Sequence, residues 1–126
     1  MARILVAEDE ASLRDQIVRA LAAGSHDVVA ACDGGEALDV LVREDGRFDL
    51  LLADIKMPVM DGIALALTAA RDYPRVVILL MTGFADQRER ACGLEALVHD
   101  VLTKPFALSD LQRAVGDAIK AGQGAT

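Results

Sequence analysis

The chain has 126 residues, 53% of them apolar, enough for one packed domain and too few for a second. A formal net charge of −7 without any cluster of Lys or Arg disfavours direct DNA or RNA binding, and the longest apolar run (76–81, six residues) is far short of a membrane span. The start "MARILV" has no long apolar export signal, and two cysteines, Cys32 and Cys92, fit a reducing cytoplasm better than a disulfide framework.

Strand-like and helix-like segments alternate five times along the chain. "RILVA" (3–7) is a short apolar run rich in branched residues. Leu13, Ile17 and Leu21 then recur at helical spacing, with Gly24 as a stop. "DVVAAC" (27–32) is the second strand, and after Gly34 and Gly35 a helix is expected with Leu38, Leu41 and Val42 on one face. "DLLLA" (49–53) is the third strand, followed by a helix over 63–73 that Pro74 closes. "VVILLM" (76–81) is the fourth and most apolar strand. A polar helix is expected over 86–97, then a fifth strand, "HDVLT" (99–103). Leu108, Leu111, Val115 and Ile119 mark a closing helix, and the small residues of 121–126 read as a flexible tail with no output domain behind it.

Continuous apolar strands alternating with helices imply a parallel α/β sheet covered on both faces. Right-handed crossovers bring the carboxyl ends of such strands to one edge, where ligands bind. The first strand ends in Glu8 and Asp9, the third in Asp54, the fourth in Thr82 and the fifth in Thr103-Lys104-Pro105. Each has an ordinary explanation taken alone. Glu8 and Asp9 could favour a helix N-terminus, Asp54 could make a turn before Pro58, Thr82-Gly83 could be a turn pair, and Lys104 could be a surface lysine. Those explanations do not account for acids, hydroxyl and cation all falling at strand ends and none within the strands.

Three carboxylates in one place repel one another and call for a cation. Hard oxygen ligands favour Mg²⁺, which keeps several waters and accepts phosphate oxygens. A carboxylate kept ionised beside a metal and a lysine is a suitable nucleophile towards phosphorus. Positioning and charge neutralisation are most of what phosphoryl transfer asks of a protein.

The motifs "LVAEDE", "DLLLADIKMPVMDG", "LLMTG" and "LTKPF", in that order and spacing, resemble the CheY-like response-regulator receiver domains. The resemblance covers nearly the whole chain and implies a receiver domain over 1–120. It also implies a single-domain, flavodoxin-like (βα)5 three-layer fold with a parallel sheet in the order 2-1-3-4-5. On it, Asp54 accepts a phosphoryl group from a histidine kinase or a histidine phosphotransfer protein. Asp9, Asp54 and the backbone carbonyl of Lys56 coordinate Mg²⁺, with Glu8 acting through water. Thr82 bonds the phosphoryl group, Lys104 pairs with it, Gly83 leaves access, and the Lys104–Pro105 bond is cis. The output is a change in protein–protein contacts through the polar fourth helix, the fifth strand and the last helix, in the cytoplasm, without nucleic acid or membrane. The start of the chain and "MTGFA" further resemble stand-alone receivers that control substrate delivery to a protease of the AAA+ class.

Two positions depart from that pattern. Val101 stands where receivers commonly carry the aromatic that reports phosphorylation, leaving Phe84 as the nearest aromatic, and Glu8 stands where many members have Asp. Two other functions on the same fold are disfavoured. An aspartyl-phosphate phosphatase of the haloacid dehalogenase type needs a second aspartate two residues after the nucleophile, and that position is Lys56. A flavodoxin-like nucleotide- or flavin-binding module wants a Gly- or Ser/Thr-rich loop after the first strand, and "AEDEAS" would repel phosphate. The expectation is a phosphorylation-switched interaction protein, with self-phosphotransfer and autodephosphorylation only, rather than a turnover enzyme.

Overall fold

The computed structural model describes residues 2–83 and 97–124. Five parallel strands form one sheet: β1 (Arg3–Ala7), β2 (Asp27–Ala31), β3 (Leu50–Asp54), β4 (Val77–Thr82) and β5 (Asp100–Thr103). Their order is β2-β1-β3-β4-β5. The helices among the described residues are α1 (Ala11–Ala23), α2 (Gly34–Arg43), α3 (Gly62–Asp72) and, from the closing segment, α4 (Leu108–Gly124). The flavodoxin-like layering and strand order expected from the sequence are those of the molecule. Of the polar helix expected over 86–97, only Leu97 falls among the described residues; Phe84 and Cys92 lie outside them.

Alternation along the strands divides the core in two. Leu5, Leu51, Ala53, Ile78 and Leu80 face one side, where Ala37 and Leu41 of α2 and Leu65 and Ala69 of α3 cover them. Ile4, Val6, Leu50, Leu52, Leu79 and Met81 face the other, against Ile17 and Leu21 of α1 and Leu111 and Val115 of α4. Burial on both faces is why β3 and β4 are apolar without interruption. Strand β3 is buried along its whole length, and Asp54 is its last residue.

Helix α2 departs from its expected face. Val42 is 62% exposed, while Ala37 and Leu41 are fully buried with Val40 close behind. The apolar stripe runs through the small Ala37, three and four residues from its neighbours, and not through the bulkier Val42. Helix α4 continues to Gly124, into the stretch that reads as a tail. Ala and Gln extend a helix readily, and Gly122 lies so close to β4 that a Cβ there would stand 2.7 Å from Val77 Cγ2.

Short-range chemistry fixes the helix starts near the carboxyl edge. Asp33 caps α2 by accepting from the Glu36 N–H at 2.7 Å, and Asp61 caps α3 by accepting from Ala64 at 2.8 Å. At the opposite edge, Arg3 gathers several elements. Its guanidinium pairs with Asp27 and Glu44, donates to the Arg47 carbonyl at 2.9 Å and lies 4.6 Å from the centre of the Phe48 ring. Its backbone N–H donates to Asp49 at 2.8 Å.

The β3–α3 connection holds one unfavourable backbone conformation. Val59 has φ +71° and is 86% exposed. A β-branched residue in the left-handed region is strained by roughly 1–2 kcal/mol with no burial here to offset it. Val59→Gly should therefore stabilise the domain by about 1 kcal/mol, net of the added backbone entropy of glycine. A urea titration checks this; a lower midpoint at unchanged slope would mean that the conformation is not costly.

Candidate functional site: an acidic pocket at the carboxyl edge

Sheet register assembles the site. Ala7 pairs with Ala53, so Glu8 and Asp54 leave their strands at the same level, and Asp54 pairs with Met81. Thr82 follows Met81 and pairs with Thr103, which brings Lys104 in from the outer strand. The backbone N–H of Lys104 donates to the Thr82 carbonyl at 2.7 Å, which anchors the turn carrying the lysine. The Lys104–Pro105 bond is cis.

Glu8, Asp54 and Thr82 are the buried polar residues among those described, with Glu8 and Thr82 fully enclosed. A buried carboxylate needs donors, and the pocket supplies them. Glu8 accepts from the Glu10 N–H at 3.1 Å and from Lys104 Nζ at 2.9 Å. Asp54 accepts from the Lys56 N–H at 3.3 Å and from Lys104 Nζ at 2.8 Å. Arg14, one turn into α1, donates to the Glu8 carbonyl at 2.9 Å. Asp9 is exposed at the mouth.

Burial pushes the Glu8 carboxyl up to about 7, against the opposing pull of the Lys104 hydrogen bond. Burial pulls the Lys104 ammonium down, but its hydrogen bonds to Asp54 and Glu8 outweigh that and hold it above the ordinary lysine value. The lysine is thus a fixed positive charge between two carboxylates.

The donor set fits a small hard cation. Glu8, Asp9 and Asp54 each offer a carboxylate oxygen, and these atoms lie within 4.8 Å of one another. All-oxygen ligands with few carboxylates suit Mg²⁺. Removing one acid should be costly, since even outer-shell partners of metal ligands are worth about tenfold in affinity. Asp9→Ala should weaken Mg²⁺ binding by at least about tenfold on that scale, read by calorimetric titration. Unchanged affinity would remove Asp9 from the metal site.

Most residues singled out from the sequence meet here: Glu8, Asp9, Asp54 and Lys104 in one pocket, with Thr82 on the adjoining strand end. Gly83 is exposed, and a Cβ there would make only ordinary contact with the Lys104 stem, at 3.8 Å. Val101 is half-buried and packs against the α2/α3 core as a strand residue. Sequence reasoning missed the direct contact between Glu8 and Lys104. Its signal was the extra methylene of Glu8, read only as reach towards a metal-bound water. The contacts from Arg14 and the Lys56 N–H left no such signal, because backbone partners follow from loop geometry.

A sheet of this order with acids at the ends of β1 and β3 and a lysine after β5 defines the CheY-like class of flavodoxin-like domains. Residues 4–116 match the response regulator receiver domain, and the chain belongs to that family. Response regulator MprA of Mycobacterium avium is 37% identical over 109 residues, 86% of this chain and 47% of that protein. Its counterpart in Mycobacterium tuberculosis H37Rv is 37% identical over the same share of this chain and 46% of its own. The chain therefore spans about half the length of these curated relatives.

Among solved structures, a CheY-like receiver domain protein from Methanospirillum hungatei superposes with a TM-score of 0.90 at 26% identity, covering 100% of this chain and 99% of that one. The response regulator TrrA of Thermotoga maritima, solved with Mg²⁺ and a beryllium fluoride, gives 0.82 at 26% identity, with 94% and 99% covered. Receivers are the regulatory switches of two-component systems, and their family takes phosphate on an aspartate and Mg²⁺ on acidic residues. No helix among the described residues is long and apolar enough to cross a membrane.

Proposed function

We propose that this chain is a Mg²⁺-dependent phospho-acceptor whose reacting group is Asp54. The observation that carries the reading is the seating of Asp54: last residue of a buried strand, bonded to Lys104 at 2.8 Å, beside the carboxylates of Glu8 and Asp9. An Asp54 oxygen attacks phosphorus and the P–N bond of the donor's phosphohistidine breaks. The electron pair leaves on the ring nitrogen, which takes up a proton. Lys104 lies where it can offset charge on the phosphoryl oxygens, and the Thr82 hydroxyl is the expected donor to them. Asp9, Asp54 and the Lys56 carbonyl are the expected metal ligands, with Glu8 acting through water. The bound Mg²⁺ would supply charge neutralisation at the transferring group.

The phosphodonor is a histidine kinase or phosphotransfer protein. The cleft lined by Glu10, Leu13, Gln16, Gly83, Lys104 and Phe106 opens beside the pocket and offers it a route of approach. The output is a cytoplasmic protein–protein contact made through β5, α4 and the segment over 86–97. Turnover as an aspartyl-phosphate phosphatase is disfavoured because Lys56, exposed two residues after Asp54, occupies the position of the second acid.

Intact mass after incubation with acetyl phosphate tests the reading. One phosphoryl group is expected with Mg²⁺ and none without it. No adduct, with no beryllofluoride complex either, would leave a constitutive binding module on this fold.

A further inference from the structure

The helix starts at the carboxyl edge are not held alike. Asp33 and Asp61 cap α2 and α3 through their own side chains, whereas Glu10, the cap residue of α1, makes no such bond, and the first turn behind it carries no acid. Arg14 ties this start down from within the helix. Its backbone N–H donates to the Glu10 carbonyl at 2.9 Å, the ordinary first bond of a helix, and its guanidinium Nη1 reaches back to the Glu8 carbonyl, also at 2.9 Å. Glu8 lies one residue past Ala7, where the pairing of β1 with both neighbours ends, and its N–H is bonded to the Ala31 carbonyl at 3.1 Å. The two carbonyls that Arg14 holds flank Asp9. That residue is exposed, and its carboxylate has no hydrogen-bond partner among the described residues. Its aim is therefore set by the backbone on either side.

We propose that Arg14 is the positioning residue of Asp9: by holding the carbonyls before and after it, Arg14 fixes the peptide from which the expected metal ligand projects. The consequence for the metal rests on the metal-site reading above, whereas the bracket around Asp9 does not. The charge of Arg14 works against this role, because a guanidinium near the pocket repels a divalent cation. Geometry and charge therefore act with opposite signs. Losing the bracket weakens Mg²⁺ binding, and losing the charge alone would strengthen it.

Mg²⁺ affinity by calorimetry reads the sign. Arg14→Met should bind Mg²⁺ on the order of tenfold more weakly than wild type, the scale for groups that orient metal ligands. Arg14→Lys, which keeps the charge and a shorter donor, should recover part of that loss. Affinity in Arg14→Met equal to or tighter than wild type would overturn the proposal. So would weaker binding in Arg14→Lys than in Arg14→Met, because the charge would then be acting on the metal directly.

Amide hydrogen exchange by NMR, without metal, reads the bracket itself. The Glu10 N–H, bonded to Glu8 Oε2 at 3.1 Å, should exchange on the order of tenfold faster in Arg14→Met. The N–H groups of Glu36 and Ala64, capped by Asp33 and Asp61, should not change. Unchanged exchange at Glu10 would overturn the proposal, and equal acceleration at all three sites would too, since Arg14 would then serve the whole fold and not the turn that carries Asp9. Failure of the wild type to bind Mg²⁺ at all would sink the metal-site reading and the role of Asp9 with it, while exchange at Glu10 would still decide whether Arg14 holds the turn.

Discussion

Asp54→Ala, incubated with acetyl phosphate and Mg²⁺, is expected to take up no phosphoryl group where the wild type gains one, and to stay folded. Asp54 combines a strand-end seat, a lysine contact and a backbone N–H on its other oxygen with a side chain that is not fully enclosed. Glu8 has similar partners but is fully enclosed, and Asp9 has neither the burial nor the lysine. No other carboxylate in the pocket is therefore poised to substitute. The effect on stability runs the other way. Removing the acid relieves repulsion from Glu8 and Asp9, and Lys104 keeps Glu8 as a partner at 2.9 Å. A melting temperature equal to or above that of the wild type should accompany the lost chemistry. A residual adduct of the same size would place the acceptor elsewhere; a mutant that melts well below wild type would mean that Asp54 is chiefly structural.

The second large effect is expected at Gly62, which opens α3. A Cβ there would stand 2.3 Å from the Asp54 carbonyl oxygen and 2.9 Å from Ile55 Cα. Both are backbone atoms at the end of a buried strand, so no flexible side chain can give way. Its own N–H donates to the Ile55 carbonyl at 2.8 Å, closing the loop on the strand. Gly62→Ala should cost about 3 kcal/mol, the upper end of the usual range for overpacking, out of the 5–15 kcal/mol that holds a typical domain together. Because the clash falls on Asp54 itself, phosphoryl uptake should slow even where the mutant remains folded.

Gly116→Ala is the control. It sits in α4 with nothing within 4 Å of a Cβ, and the gain in helix propensity should stabilise by up to about 1 kcal/mol. Denaturant titrations of the two variants, read beside the rate of phosphoryl uptake, decide the point. If Gly62→Ala were as stable and as reactive as wild type, the loop would have slack that its contacts do not suggest.

Much of this was legible from residue order because the sheet is buried on both faces. Continuous apolar runs located β1, β3 and β4, and their polar ends gave the pocket. Misreadings came where small residues carry the packing. In α2, Ala37 carries the buried face that Val42 was expected to share. At the end of α4, Gly122 against Val77 lets the helix run on where a tail was expected. Side-chain volume is visible in a sequence, but the space that makes a small residue fit is not. The pairing of Glu8 with Lys104 joins residues 96 apart in the chain. Spacing alone does not distinguish an acid that faces a cation elsewhere in its own chain from one that faces an ion from solvent.

Arg3 bears on how the domain can move. Its bonds to Asp27, Glu44, Arg47 and Asp49 fasten the starts of β1 and β2 to the segment that leads from α2 into β3. At the pocket end, one lysine is shared between two acids. Arg3 thus ties several elements at the foot of the sheet, while at its head a single ammonium joins the tips of β1 and β3. On the function proposed above, a charge added at Asp54 would fall on that ammonium bridge and leave the Arg3 contacts at the strand bases untouched.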